Sequence, residues 1–166
     1  MSPMPAQAGG PQELGRFTFS TDEITRFAAQ YDPQPFHTDP AAGEQALFGM
    51  LIASGWQVVM VWMRFFVDAH AVPVEPVDPR TLVPVGLGIG IDKLRWHAPA
   101  QLGDTLVFET RVLKSRPSAS RPGWAIVQRI GSARREDGTQ VMSFEMTHLT
   151  PDFTLPAPQS TQGAAN

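Results

Sequence analysis

The sequence predicts an α+β protein in which a curved antiparallel sheet wraps around one long apolar helix. Three observations carry this. Residues 55–68 have helical length and carry apolar side chains on every side, which a surface helix would not tolerate. Four segments with strand-like alternation follow, at about 85–96, 105–113, 124–130 and 140–149. Asp137-Gly138 is a hairpin signal between the last two.

Taken in order, residues 1–13 are rich in Pro, Gly, Ala and Gln and carry almost nothing to bury, and residues 152–166 look the same. Both are expected to be poorly ordered, which leaves 14–151 as a single domain. Residues 15–19 alternate as a short strand. Ser20 with Glu23 three positions on is a capping box that opens a helix whose buried stripe is Ile24, Phe27, Ala28 and Tyr31. Asp32-Pro33 ends it, because the residue before a proline is pushed out of the α region. Asp39-Pro40 reads as an N-cap followed by proline in the first helical position, opening a short helix to about Leu47, so Asp39 is expected to be structural.

Ser54 caps the next helix, and Gly55 to Asp68 makes about four turns, roughly 21 Å long. Residues 69–84 contain Pro73, Pro76, Pro79 and Pro84 and are expected to be irregular. Beyond them Val85, Leu87, Ile89 and Ile91 alternate with glycines, then Leu94 and Trp96 continue in the opposite parity. A bulge is therefore expected near Asp92-Lys93. In the last strand Met142, Phe144 and Met146 share one face.

Composition narrows the function. The chain has 166 residues, 42% of them hydrophobic, no cysteine and a net charge of −3, with a pI near 5.7. That charge and the lack of a Lys/Arg block argue against a nucleic-acid partner. Without cysteine there is no disulfide and no thiolate chemistry, which suits a reducing compartment. The longest unbroken apolar run in the helix, Val58 to Met63, is far too short to span a bilayer, and no export signal opens the chain. A cytoplasmic protein without a membrane partner is expected. The four histidines lack metal-ligand spacing, and neither a nucleophile elbow nor a phosphate loop is present, so no metal or cofactor is expected.

The chemistry concentrates in Tyr31-Asp32-Pro33-Gln34-Pro35-Phe36-His37 and in Ser54-Gly55. Two prolines between an acid and an imidazole fix much of the backbone, so Asp32 and His37 are held with little freedom. The bland alternative is that Asp32 ends one helix and His37 caps the next loop. The pattern resembles the signature of the MaoC-like, or (R)-specific enoyl-CoA hydratase, family: Asp-x-Asn-Pro-(aliphatic)-His, then a glycine at the start of a central helix. Asp32, Pro35, His37 and Gly55 match it. Residues 94–106, Leu-Arg-Trp-His-Ala-Pro-Ala-Gln-Leu-Gly-Asp-Thr-Leu, resemble the family's second block, and the likeness covers about residues 15–150. Three positions depart from the pattern: Tyr31 stands where Gly is usual, Gln34 for Asn, and Ser54 where His often precedes the glycine. These leave the acid–base pair intact and put substrate range in question, since Tyr31 adds bulk beside the site.

The resemblance implies the hot-dog fold and reversible hydration of a trans-2-enoyl thioester, CoA being part of the substrate. Asp32 and His37 would be the acid–base pair, with the backbone amide of Gly55 as the oxyanion donor. Ser54 and Gln34 would complete the substrate-binding set. A homodimer with a continuous sheet is implied too, which would cover an exposed edge strand. A thioesterase on the same scaffold, or a non-catalytic acyl-thioester-binding module, are the rival readings. His70, His97 and His148 are expected to be structural or solvent-facing. Arg116, Arg121, Arg134 and Arg135 suit CoA phosphates chemically but read better as solvated loop residues.

Overall fold

The structure, a computed structural model, describes residues 10–70 and 86–151. Its elements in chain order are β1 (Gln12–Thr18), α1 (Thr21–Tyr31), α2 (Pro35–Thr38), α3 (Pro40–Gln45), α4 (Gly55–His70), β2 (Leu87–Trp96), β3 (Thr105–Pro117), β4 (Trp124–Arg135) and β5 (Gln140–Pro151). The strands form one antiparallel sheet in the order β1-β3-β4-β5-β2. The sheet curves around α4, as in hot-dog-fold proteins. Most of the expected tails and of the proline-rich stretch lie outside the described residues. Gln12 and Glu13, assigned to the N-terminal tail from composition, instead belong to β1, where they pair with Thr110 and Glu109 of β3. Backbone pairing there needs no apolar side chains, so composition could not register it.

Ser20 caps α1 by accepting from the Glu23 amide at 3.3 Å. The Glu23 carboxylate turns to Arg26 instead of reaching back, so only half of the capping box forms. Ile24 and Ala28 are buried, but Tyr31 is 71% exposed. It stands at the last turn, against Phe27 (ring centroids 5.1 Å apart). Asp39 caps α3 through the Ala41 amide at 2.9 Å, and that helix stops at Gln45, short of Leu47, because Ala46 is extended.

α4 runs 16 residues, to His70, and among the described residues no helix is long and apolar enough to cross a membrane. Val58, Val59, Trp62 and Phe66 face the sheet and are buried. Trp62 stacks on Phe66, meets Phe144 edge-on at 4.8 Å, and donates its indole N–H to the Glu109 carbonyl at 2.8 Å. Gly131 admits this pair, since a Cβ there would lie 2.7 Å from the Trp62 ring and closer still to Phe144. The expectation that α4 is enveloped on all sides is corrected: Trp56, Met60 and Val67 on its other face are exposed in the single chain. A five-stranded sheet reaches only one face of a helix. β2 is an edge strand with the same character, leaving Leu87, Ile89 and Ile91 open. Its register breaks between Asp92 and Arg95, with Lys93 at φ 53°, at the expected bulge. At the expected hairpin, Gly138 has φ 90° and Asp137 accepts from the Thr139 amide at 2.8 Å.

Candidate active site

Asp32 closes α1: its amide donates to the Ala28 carbonyl at 2.9 Å while its own backbone leaves the helical region (φ −152°, ψ 67°). Gln34 is extended (φ −79°, ψ 141°), as a residue before proline must be, and Pro35 then opens the one-turn helix α2. That turn is what the sequence reading missed. It swings His37 inward until the side chain is only 6% exposed, instead of leaving it in a loop.

The His37 ring is fixed from behind. Nδ1 lies 2.7 Å from the Ile52 carbonyl oxygen, and a carbonyl can only accept, so Nδ1 carries a proton. In the neutral ring Nε2 is therefore a bare lone pair, and it faces Asp32 Oδ2 at 3.5 Å. That separation is too long for a good direct hydrogen bond and suits a small hydroxylic molecule bound to both. The Ile52 carbonyl is held in turn by the 94–106 block. Ala53 donates to the Ala100 carbonyl at 2.8 Å and Leu102 to that of Leu51 at 3.0 Å, with Gln101 bridging to Ile52. Gly103, at φ 85°, and Asp104, which accepts from the Gln101 amide and from Arg135, shape the turn.

Asp32 has both oxygens engaged. Ser54 Oγ donates to Oδ2 at 2.7 Å and Gln34 Nε2 to Oδ1 at 2.7 Å. The Ser54 hydrogen bond, then that of Gln34, hold the carboxyl below its ordinary range against the opposing effect of burial, with a smaller contribution from His37. Gln34 thus supplies an amide that orients the acid. Ser54 is wholly buried and also accepts from the Trp56 amide at 3.3 Å, so its hydroxyl both starts α4 and locks Asp32.

Gly55 follows as the first residue of α4. Helix geometry leaves its N–H without an intrahelical acceptor, and none is found among the described residues. The Trp96 indole lies flat against it: a Cβ at residue 55 would sit 2.5 Å from both Nε1 and Cε2. Only glycine fits. Asp32, His37, Ser54 and Gly55 all open on a cavity of about 430 Å³ whose wall also includes Phe36, Phe48, Trp56, Trp96 and His97.

Several positions differ from expectation. His97, read as structural or solvent-facing on a strand, follows β2 and lines the cavity, sharing a 2.8 Å hydrogen bond with Ser143 Oγ. Tyr31 lies outside the cavity, on a separate groove with Phe27, Gln57 and Met60, so its bulk does not narrow the site. Arg134 and Arg135 are not solvated loop residues. The first forks onto Glu109 at 2.9 and 3.0 Å, and the second joins Asp104 to the Pro99 carbonyl. The aromatic wall from Trp96 gave no local signal, because it reaches Gly55 only through the β2–β5 pairing.

The sheet order and the helix it wraps define a hot-dog-fold protein, and the comparisons with known proteins agree. The MaoC-like domain family model matches residues 5–122. The MaoC-like dehydratase from Rhodospirillum rubrum is 32% identical over 88% of this chain and 93% of its own, with a TM-score of 0.71. The chain belongs to the MaoC-like domain family. The unliganded (R)-hydratase from Pseudomonas aeruginosa shares the fold at 24% identity over 88% of this chain and 83% of its own, with a TM-score of 0.62. An uncharacterised Bacillus subtilis (strain 168) protein, YdeM, is 35% identical over 49 residues, a stretch spanning 30% of this chain and 35% of YdeM.

Proposed function

We propose that the protein is a hydro-lyase that reversibly adds water to a trans-2-enoyl thioester, CoA-linked, to give the (R)-3-hydroxyacyl thioester. The observation that carries this reading is the 3.5 Å gap between Asp32 Oδ2 and the bare Nε2 of His37, beside the unpartnered amide of Gly55. Membership of a family that includes dehydratases supports the reaction class.

In this reading a water bridges the gap, one O–H toward each acceptor. The thioester oxygen accepts from the Gly55 amide at the positive end of α4, which polarises the enoyl group. As the water oxygen bonds to C3, one O–H bond breaks and its proton passes to His37 Nε2. The C2=C3 electron pair moves toward the thioester oxygen. Two hydrogen bonds stabilise the ionised form of Asp32 and weaken it as a base. It orients the water and stabilises the imidazolium. The Nε2 proton then goes to C2, so His37 returns to neutral and both new bonds form on one face. Dehydration runs the same steps backward.

The test is to supply the purified protein with crotonyl-CoA and longer enoyl-CoAs and follow loss of the conjugated thioester's absorbance. Asp32→Asn and His37→Ala are each expected to cost about 100- to 10,000-fold. No turnover at any chain length, or variants as fast as the parent, would refute the reading. Release of free thiol, detected with a thiol-reactive dye, would instead indicate a thioesterase, because hydration frees none.

A further inference from the structure

The geometry points to the indole N–H of Trp96 as a second hydrogen-bond donor to the substrate's thioester oxygen, acting beside the Gly55 amide; this rests on the hydration reading above. A charge developing on that oxygen gains from two donors, since an sp² oxygen offers two lone pairs and a mostly apolar cavity supplies little else. Gly55 provides one.

Trp96 ends β2 and carries its ring across to the first turn of α4. A Cβ on residue 55 would lie 2.5 Å from Trp96 Nε1. Standard covalent geometry puts that Cβ about 2.5 Å from the residue's own nitrogen, so the two N–H groups are within about 5 Å of one another. Donors that each sit about 2.9 Å from a shared oxygen are separated by up to about 5.8 Å. One oxygen can therefore lie within reach of both. Trp96 Nε1 has no acceptor among the described residues, unlike the buried Trp62, whose indole is spent on the Glu109 carbonyl. His97, the neighbouring polar group on the wall, has its Nε2 engaged by Ser143 Oγ. Trp56 packs edge-to-face on Trp96, with centroids 5.3 Å apart, and braces the ring.

Trp96→Phe keeps most of the ring's packing and removes only the donor. It is expected to lower kcat on crotonyl-CoA about 100-fold, with KM changed by less than about threefold. The carbonyl stretch of bound [1-13C]butyryl-CoA, which cannot be hydrated, is expected to move back toward its frequency in free solution. A kcat and a carbonyl frequency both equal to the parent's would overturn the assignment and leave the hydration reading standing. A parent enzyme inert to every enoyl-CoA would overturn both. If Trp96→Phe fails to fold, the unaltered protein with 15N-indole label decides. The Trp96 N–H, identified by its Overhauser contact to the Gly55 α-protons, should shift downfield as butyryl-CoA binds, and no shift would overturn the inference.

Discussion

His148 on β5 offers a quantitative test of how the C-terminal half of α4 is held. It is 3% exposed, and Nε2 accepts from Arg129 Nε at 3.0 Å, so the imidazole is neutral with its proton on Nδ1, which has no partner among the described residues. The groups around it are Arg129 from β4 and Phe66 and His70 from α4, with Thr110 of β3 bonded to Arg129 and the Gly86 backbone against Nδ1. None is an acid. Burial, then the Arg129 charge, then His70, push the His148 pKa down from 6.5 to about 4, and burial alone lowers that of Arg129 to about 10.

The sign follows from which state takes the proton. Above pH 6.5 both states are neutral and His148 adds no pH dependence. Between 6.5 and about 4 the unfolded chain binds a proton that the folded one refuses, so stability falls as pH falls. The full difference of 2.5 units corresponds to roughly 3 kcal/mol, of which about 2 kcal/mol is lost by pH 5. His70, also lowered chiefly by burial, acts in the same direction. For a chain of this size the His148 part amounts to about 4–8 °C in Tm between pH 7.5 and 5. His148→Gln keeps an acceptor for Arg129 and cannot titrate. Thermal unfolding followed by circular dichroism at pH 7.5, 6 and 5 should show the parent falling more steeply than the variant by that amount. Parallel slopes would refute this account, whatever the absolute stability of the variant.

Ser54→Ala removes the main hydrogen bond that lowers the Asp32 pKa, so the carboxyl pKa should rise toward its ordinary value, read from the 13C carboxyl shift of Asp32 in an NMR pH titration. The lost cap should also cost about 1 kcal/mol in urea unfolding. Gly131→Ala drives a methyl into Phe144 and Trp62 and is expected to destabilise the fold by about 1–3 kcal/mol in the same assay. The open apolar faces of β2 and α4 should be covered by a second copy, so sedimentation at micromolar concentration should give a dimer. Ile89→Lys with Ile91→Lys should then shift it to monomer.

What the sequence conveyed well was whatever is enforced locally. Pro33 and Pro35 restrict the backbone around Asp32 and His37 whatever the rest of the chain does, and alternation at Met142, Phe144 and Met146 reports a face directly. Apolar content alone misjudged α4, because a hydrophobic side chain reads the same whether its own sheet or another surface covers it. Trp62 and Trp56 have the same side chain, yet one is fully buried and the other is exposed. Spacing misplaced Tyr31 for a related reason: a stripe fixes an angle around a helix, not how far along it the neighbours extend.

The site's working parts are non-local almost throughout. The Ser54–Asp32 bond joins residues 22 apart, and the His37 tautomer depends on a carbonyl 15 residues away. The segment that carries that carbonyl is secured by Ala100 and Leu102. A peptide carrying the 32–37 segment alone would retain both side chains. It would lack the carbonyl that fixes the His37 tautomer and the hydroxyl that holds the carboxylate in place, so it would hold no ordered pair of acceptors for water. The short motif therefore supplies the acid and the imidazole, and the start of α4 and the segment held by Ala100 and Leu102 fix their orientation. Substitutions at Ser54 or around Ala100 should consequently alter proton transfer while leaving every residue of the motif in place.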